Sequence, residues 1–443
     1  MKKTFRPWQV DQNLLLPPSV HDFVPAGHVA HFVRDLVREE LDLSAIVDSY
    51  SEARGYPPYD PWMMTALLLY GYAQGVYSSR RLARACEERV DFMAVVALNQ
   101  PDFRTISDFR KRHREALSGL FVQVLQLCRQ AGLVKLGHVA LDGTKLKANA
   151  SRHKAMSYGR MAKKEAELAA EVEGWLAAAA AADAQEDARH GGDQRGDETP
   201  EWMASKARRL AKIREAKAAL EAEAKAEAER KAAEKAAQPG KNRGGRKPKT
   251  PPGTPRDKAQ RNFTDPDSRI MKGHDGFIQG YNAQAAVDAA SQVIVAQDLG
   301  NGAADSGQLV GMMDKVKTNS GRYPEQMSAD SGYCSQDNIT AMEDRGIEAF
   351  IATGRQKHGT AAADGGKAKA PKIEEMRERL RQGGFEGPYR LRKQTVEPVF
   401  GQIKQARGFR QFLMRGLENA KAEWAMLCTV HNMLKLAGAR APA

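Results

Sequence analysis

Over the first 135 positions apolar residues recur three and four apart, the spacing of one helix face. Val29, Phe32, Val33, Leu36, Val37 and Leu41 form one such stripe. Asp60-Pro61 sets a capping side chain beside a proline suited to a first helical turn, and predicts a helix through Met63, Leu67, Leu68 and Tyr70. Ser78-Ser79-Arg80-Arg81-Leu82-Ala83-Arg84 begins another helix, with a basic face. Thr105 to Phe109 opens a longer one. Its apolar positions are Phe109, Leu117, Phe121, Val124 and Leu125, and its exposed side shows Arg110, Lys111, Arg112, His113 and Arg114. Residues 1–135 therefore read as a helical domain. Short helices with a basic stripe suit a helix-turn-helix arrangement; a bundle with a solvated basic face suits the same pattern.

From residue 136 the pattern becomes α/β. Val139-Ala140-Leu141-Asp142 is a short apolar stretch of strand type, and the pattern breaks off near Tyr158. From there the chain is rich in Ala, Glu and Lys and carries two helical stripes. One is Met161, Leu168, Val172, Trp175 and Leu176; the other is Met203, Leu210, Ile213 and Leu220. Polar Arg189-His190-Gly191-Gly192-Asp193 lies between them. This predicts a long antiparallel helical hairpin inserted over 158–238, its stripe thinning to alanines past Leu220. Residues 239–262 follow as a basic linker, in which Lys241, Arg243, Arg246, Lys247, Lys249, Arg256, Lys258 and Arg261 face only Asp257. Strands are then predicted at Tyr281–Val287 and Gln292–Ala296, with a turn over 288–291. A helix over 306–317, a strand ending at Asp330, a helix over 336–345, a strand over 347–352 and a polar loop over 355–375 come next. C-terminal helices run from about Lys393 to Leu436. Residues 136–443 are thus one interrupted α/β domain.

Charge narrows the partners. The 443 residues hold 68 Lys and Arg against 55 Asp and Glu, a net charge of +13 with pI about 9.4. Such an excess favours a polyanion, most often nucleic acid, and the basic helices and linker are where it would be held. The linker suits a nucleic-acid clamp and a solvated tether alike. Cys86, Cys128, Cys334 and Cys428 are scattered without a CxxC pair, which argues against zinc and a disulfide framework and suits a reducing cytoplasm. No apolar core follows the basic N-terminus, and no apolar run reaches the roughly 20 residues of a membrane span.

Two aspartates and a glutamate carry the candidate chemistry. Asp142 and Asp330 each end an apolar stretch, in Leu141-Asp142-Gly143-Thr144 and Ala329-Asp330-Ser331-Gly332-Tyr333. Glu397 is read at the start of an amphipathic helix, with Pro398 in its first turn. Singly, each has a plain structural use: a turn, a helix cap, a surface charge. Together they can converge on divalent cations, which take oxygen ligands and, as a pair, support in-line displacement at a phosphodiester. The order strand, hairpin strands, helix, strand, helix, strand, helix is that of an RNase H-like fold, in which the first and fourth strands are central neighbours. Asp265, Asp267, Asp288 and Asp298 read as turn or supporting acids. Phe409 and Phe412 suit either base stacking or the core, and Trp424 and His431 suit packing.

At these residues the chain resembles a DDE-type transposase of bacterial insertion sequences, in the subgroup with a helical N-terminal domain. Six residues separate Glu397 from Lys404, as in the family signature Tyr-x2-Arg-x3-Glu-x6-Lys. Tyr389 and Arg392 keep the first spacing, but four residues then precede Glu397; Lys393 has the right spacing and the other identity. Asp142-Gly143-Thr144 looks like the first family aspartate and Asp330-Ser331-Gly332-Tyr333 like the second. Thr264-Asp265-Pro266-Asp267-Ser268-Arg269 is similar to a family segment before the second strand. The resemblance implies Asp142, Asp330 and Glu397 as catalytic ligands of Mg2+ or Mn2+, and DNA contact by Lys404, Arg392 or Lys393, Tyr389, Arg80, Arg81, Arg84 and Arg110. It implies cleavage at the element ends, strand transfer of the 3′-hydroxyls into target DNA, and a homodimer on double-stranded DNA in the bacterial cytoplasm. A metal-dependent nuclease and a DNA-binding scaffold without catalysis are the rival readings.

Overall fold

The computed structural model describes residues 19–50, 58–190, 201–237, 250–273, 276–354 and 370–440. Its N-terminal part is helical, with α1 (Val29–Asp35), α2 (Ser44–Val47), α3 (Pro61–Ala73), α4 (Ser79–Glu88), α5 (Val90–Val95), α6 (Phe103–Arg112) and α7 (Arg114–Gln130). Asp60 caps α3 as expected, its carboxylate accepting from Met63 N at 3.0 Å with Pro61 in the first turn. The long helix expected from Thr105 is instead two. Asp102 caps α6, and the backbone leaves the helix at His113 (φ −101°, ψ 23°) before α7 begins.

The strands are β1 (His138–Lys147), β2 (Ala155–Ser157), β3 (Gln260–Asn262), β4 (Arg269–Gly273), β5 (Gly276–Asp288), β6 (Ile294–Gly300), β7 (Gln326–Ala329) and β8 (Glu348–Ile351). β5 lies antiparallel to β1, with Asp142 opposite Ala285, and β6 lies antiparallel to β5. On the other side β7 runs parallel to β1 and β8 parallel to β7. The order β6-β5-β1-β7-β8, with β4 extending the far end of β5, gives the RNase H-like core. β4 and the β2–β3 pair were not legible in the sequence, and β6 begins two residues later than expected and runs on to Gly300. The remaining helices are α8 (Tyr158–His190), α9 (Glu201–Ala237), α10 (Leu309–Ser320), α11 (Gln336–Asp344), α12 (Pro371–Gly383), α13 (Leu391–Gly401) and α14 (Leu417–Arg440).

One apolar core runs from Val24 to Leu436 and joins the N-terminal helices to the sheet. Helix α14 makes the join. Its fully buried Trp424 donates from Nε1 to the Gln284 carbonyl at 3.1 Å and stacks near Phe400. Truncating such a side chain costs about 3–5 kcal/mol. His431 is buried as expected, and Phe409 and Phe412 are core residues, packed on Tyr77 and Tyr281, so neither ring faces a base.

The helical hairpin has a core of its own: Met161, Leu168, Leu210, Ile213, Ala216 and Leu220, closed at the base by Met156, Tyr158 and Phe263. Glu165 meets Arg214 and Lys217, and Glu171 meets Lys206, which sets the antiparallel register. Such exposed pairs contribute at most about 1 kcal/mol each, so the apolar seam holds the arm. Residues 191–200 and the side chains of Trp175, Leu176 and Met203 lie outside the described residues. So does the linker over 238–249, with Lys241, Arg243, Arg246, Lys247 and Lys249. The rest of the predicted linker is structured: Gln260–Asn262 pairs with β2, and Arg261 is held by Glu223 at 2.5 Å.

Candidate active site

Register brings the two aspartates together. Leu141 pairs with Ala329 in the parallel ladder, so Asp330, just past the end of β7, lies beside Asp142, which is in the middle of β1 and not at the strand end expected. Asp330 starts a short 3-10 turn, Ser331–Tyr333, and its Oδ1 accepts from Gly332 N at 2.9 Å. Glu397 arrives from α13. The helix begins at Leu391, so Glu397 sits in its interior and not at its start, and Pro398 is an internal proline. Proline has no N–H for the carbonyl four residues back. Gln292 fills that gap, donating from Nε2 to the Gln394 carbonyl at 3.0 Å.

Arg392 links the acids. Its guanidinium reaches Asp142 Oδ2 at 3.3 Å and Glu397 Oε1 at 3.0 Å. Asp142 is 15 % exposed and Arg392 12 %, whereas Glu397 is 52 % exposed. Burial pushes the Asp142 carboxyl up to about 6; Arg392 opposes the shift, and Asp330 and Glu397 add to it. Clustered carboxylates need a cation when withdrawn from water. Lys393 is exposed on α13, so of the two basic candidates Arg392 alone meets the acids.

Tyr389 stands beside this group, half-buried. Burial raises its hydroxyl, Arg392 opposes the shift, and Asp330, Asp142 and Glu397 add to it. Lys404 lies in a π-helical turn, Gln402–Ala406, that continues α13, and its amine donates to Thr144 Oγ1. Thr144 shares Asp142's face of β1 because strand side chains alternate. Burial lowers the Lys404 amine, while Asp142 raises it and Arg410 lowers it further.

An all-carboxylate set suits a hard divalent cation. Among the described residues no group of three His, Cys, Asp or Glu side chains forms a ready metal cage; here the Arg392 guanidinium bridges Asp142 and Glu397. The supporting acids behave as expected. Asp265 is fully buried and accepts from Tyr281 Oη at 2.8 Å, and Asp267 accepts from Leu417 N at 2.9 Å at the start of α14. Sequence reasoning missed Asp305, which lies in a loop with no periodic signal.

The remaining basic candidates divide. Arg80, Arg81 and Arg84 lie on the exposed face of α4, with Arg80 over the Phe103 ring and Arg84 paired to Glu88 at 2.7 Å. A cleft of about 640 Å3 beside Arg80 is lined by Arg104, Asp108, Arg110 and Lys111 from α6, and by Asn149 and Leu413 from the α/β core. Arg110 and His113, expected on the exposed side, are buried at 6 % and 4 % exposure. Arg110 donates to Tyr72 Oη, the Tyr77 carbonyl and Ser79 Oγ at 3.0, 3.0 and 2.7 Å. Its guanidinium faces inward because the buried carboxylate of Glu423 shares the Tyr72 hydroxyl with it.

Two family models match the chain. A transposase domain (DUF772) covers residues 18–112, and a transposase DDE domain covers residues 246–433. The second includes Asp330, Tyr389, Arg392, Glu397 and Lys404; Asp142 lies upstream, across the helical insertion. Comparison with curated proteins and with solved structures returned no match. With a transposase domain over its N-terminal helices and a transposase DDE domain over its α/β core, the chain belongs to the DDE-type insertion-sequence transposases.

Proposed function

We propose that the transposase cleaves the ends of its element and joins the freed 3′-hydroxyls to target DNA, with Asp142, Asp330 and Glu397 as catalytic acids. One observation carries this reading: Asp142 of β1 and Glu397 of α13 share one guanidinium, and Asp330 at the end of β7 is near enough to act on the charge of both Asp142 and Arg392. These carboxylates would hold Mg2+ or Mn2+, which when bound activates the attacking oxygen and offsets charge on the scissile phosphate. The chain's own cations complete the site. Arg392 balances the acids and, with Lys404 and a protonated Tyr389, can hold a phosphate by charge-assisted hydrogen bonds. Arg80, Arg81 and Arg84 are the DNA-binding face of the N-terminal helices, and the adjoining cleft carries the backbone toward β1. Arg110 borders that cleft, but its guanidinium is directed inward to Tyr72, the Tyr77 carbonyl and Ser79. Two ends joined in one event call for two active sites, hence a homodimer on DNA, acting in the cytoplasm.

The test couples purified protein to labelled element ends and a target plasmid with Mn2+. Asp142→Asn, Asp330→Asn and Glu397→Gln should each abolish cleavage and strand transfer while leaving end binding within a few-fold. Cleavage by one variant at the parent rate removes that residue from the site. Cleavage without joined product by the parent protein reduces the activity to that of a nuclease.

A further inference from the structure

The β1–β7 ladder stops one residue short of the acids. Its last pair is Leu141 with Ala329, so the ladder brings Asp142 and Asp330 to one edge but does not pair them directly. What lies behind them is a polar cluster that the proposed reaction does not use. Gly143 and Lys145 face away from Asp142 and Thr144, and their β5 partners Gln284 and Asn282 share that face.

Asp305, from the loop between β6 and α10, lies across it. Its carboxylate accepts from Lys145 Nζ at 2.9 and 3.3 Å, from Asn282 Nδ2 at 2.7 Å and from Gln284 Nε2 at 2.9 Å. Gln284 in turn accepts from Tyr333 Oη, in the turn that Asp330 begins. Asn282, Gln284 and Tyr333 are buried, and Lys145 and Asp305 are 16 % and 21 % exposed. The cluster also needs one glycine and touches a second. A Cβ on Gly143 would lie 2.3 Å from Gln284 Nε2 and 2.9 Å from Asp305 Oδ1, closer than side-chain atoms approach. A Cβ on Gly332 would lie 3.5 Å from Asp305 Oδ2, an ordinary contact, so Gly332 is a neighbour of the cluster and not a steric requirement. Gly143 follows Asp142, and Gly332 donates its N–H to Asp330.

We infer that Asp305 is a positioning residue: held by Lys145, Asn282 and Gln284, it backs Gly143 directly and, through Gln284 and Tyr333, the turn that Asp330 begins, and so helps set the gap between Asp142 and Asp330. The inference rests on the proposed role of those two aspartates. It also explains why glycine follows Asp142: the cluster needs the room a Cβ would take.

The test uses Asp305→Asn and Lys145→Met in the full chain, with Mn2+ alone as the probe. Mn2+ affinity is measured by titration without DNA, Mn2+ half-saturation of end cleavage separately, and folding by thermal midpoint. Both variants should bind Mn2+ about 10–100-fold more weakly, the usual effect of losing support behind ligands. Cleavage at saturating Mn2+ should return to within a few-fold of the parent. The two variants change local charge in opposite senses. If charge alone acted, Asp305→Asn would weaken Mn2+ binding and Lys145→Met would strengthen it; that outcome overturns the positioning role. Unchanged affinity in both, with parent-like midpoints, overturns it too. Asp142→Asn separates the two claims. Should it cleave normally, the proposed site fails; should it be inactive while Asp305→Asn binds Mn2+ as the parent does, only the positioning role fails.

Discussion

Arg110→Met should unfold the protein more readily without touching its affinity for DNA. Arg110 and Glu423 are 6 % and 1 % exposed, and the Tyr72 hydroxyl lies between them, accepting from one at 3.0 Å and donating to the other at 3.2 Å. Glu423 also accepts from Leu413 N at 2.9 Å and Met414 N at 3.2 Å, but the charge that opposes its burial is that of Arg110. Removing one member of a buried charge set leaves the other uncompensated, at a cost of about 3–5 kcal/mol. The loss depends on pH. Burial already raises the Glu423 carboxyl in the folded chain, and losing Arg110 raises it further, while the unfolded group stays near about 4.3. A raised folded value means stability is fully present below the unfolded value and lost as pH rises toward the folded one. The deficit against the parent should therefore be small near pH ~4.5 and largest at neutral pH. Urea unfolding followed by tryptophan fluorescence across this range reads it. Adding Glu423→Gln to Arg110→Met should recover most of the loss, since neither charge then remains. A deficit under about 1 kcal/mol at neutral pH, or weaker DNA binding with unchanged stability, would refute the buried assignment.

Three further outcomes are expected. Replacing residues 158–238 by a short linker should leave a soluble protein with a single cooperative transition, because the hairpin core is separate from the main one; aggregation of the purified deletion would count against that separation. Substituting alanine for Arg80, Arg81, Arg104 and Lys111 together should flatten the slope of log affinity against log salt by about 0.9 per lost phosphate contact, and a slope equal to the parent's would take the α4 face out of the interface. Gln292→Ala should leave the Gln394 carbonyl without its donor, loosen α13 and cost about 1–3 kcal/mol, read as a drop in the urea midpoint.

How far these outcomes could have been reached from the sequence depends on the distance over which each feature is decided. The two aspartates were legible because an apolar run closing on Asp-Gly or Asp-Ser-Gly is a local signal; Asp330 does follow a strand end, but β1 runs past Asp142 to Lys147 because its later half pairs with β5. The hairpin was legible because its two stripes are periodic. Glu397 was found, but Pro398 misplaced it at a helix start; the chain tolerates an internal proline because Gln292 supplies the missing donor. Lys404 was found by spacing, though the π-helical turn and its bond to Thr144 belong to the folded chain.

Arg110 shows the limit from the other side. Ile106 and Arg110 are four apart, so helical spacing already put Arg110 on the buried arc of α6, and its charge alone argued for the surface. Glu423, which settles the matter, lies on α14 at the opposite end of the chain. Asp305 gave no signal at all, because its meaning comes from Lys145, Asn282, Gln284 and two glycines that meet only in the folded sheet. Periodicity and turn chemistry act over a few residues, and so the sequence by itself determined most of the elements, their order and the acids they carry. Which charges are buried, which arginine meets the acids and what braces them are set by desolvation and pairing between distant segments, and those only the tertiary structure decided.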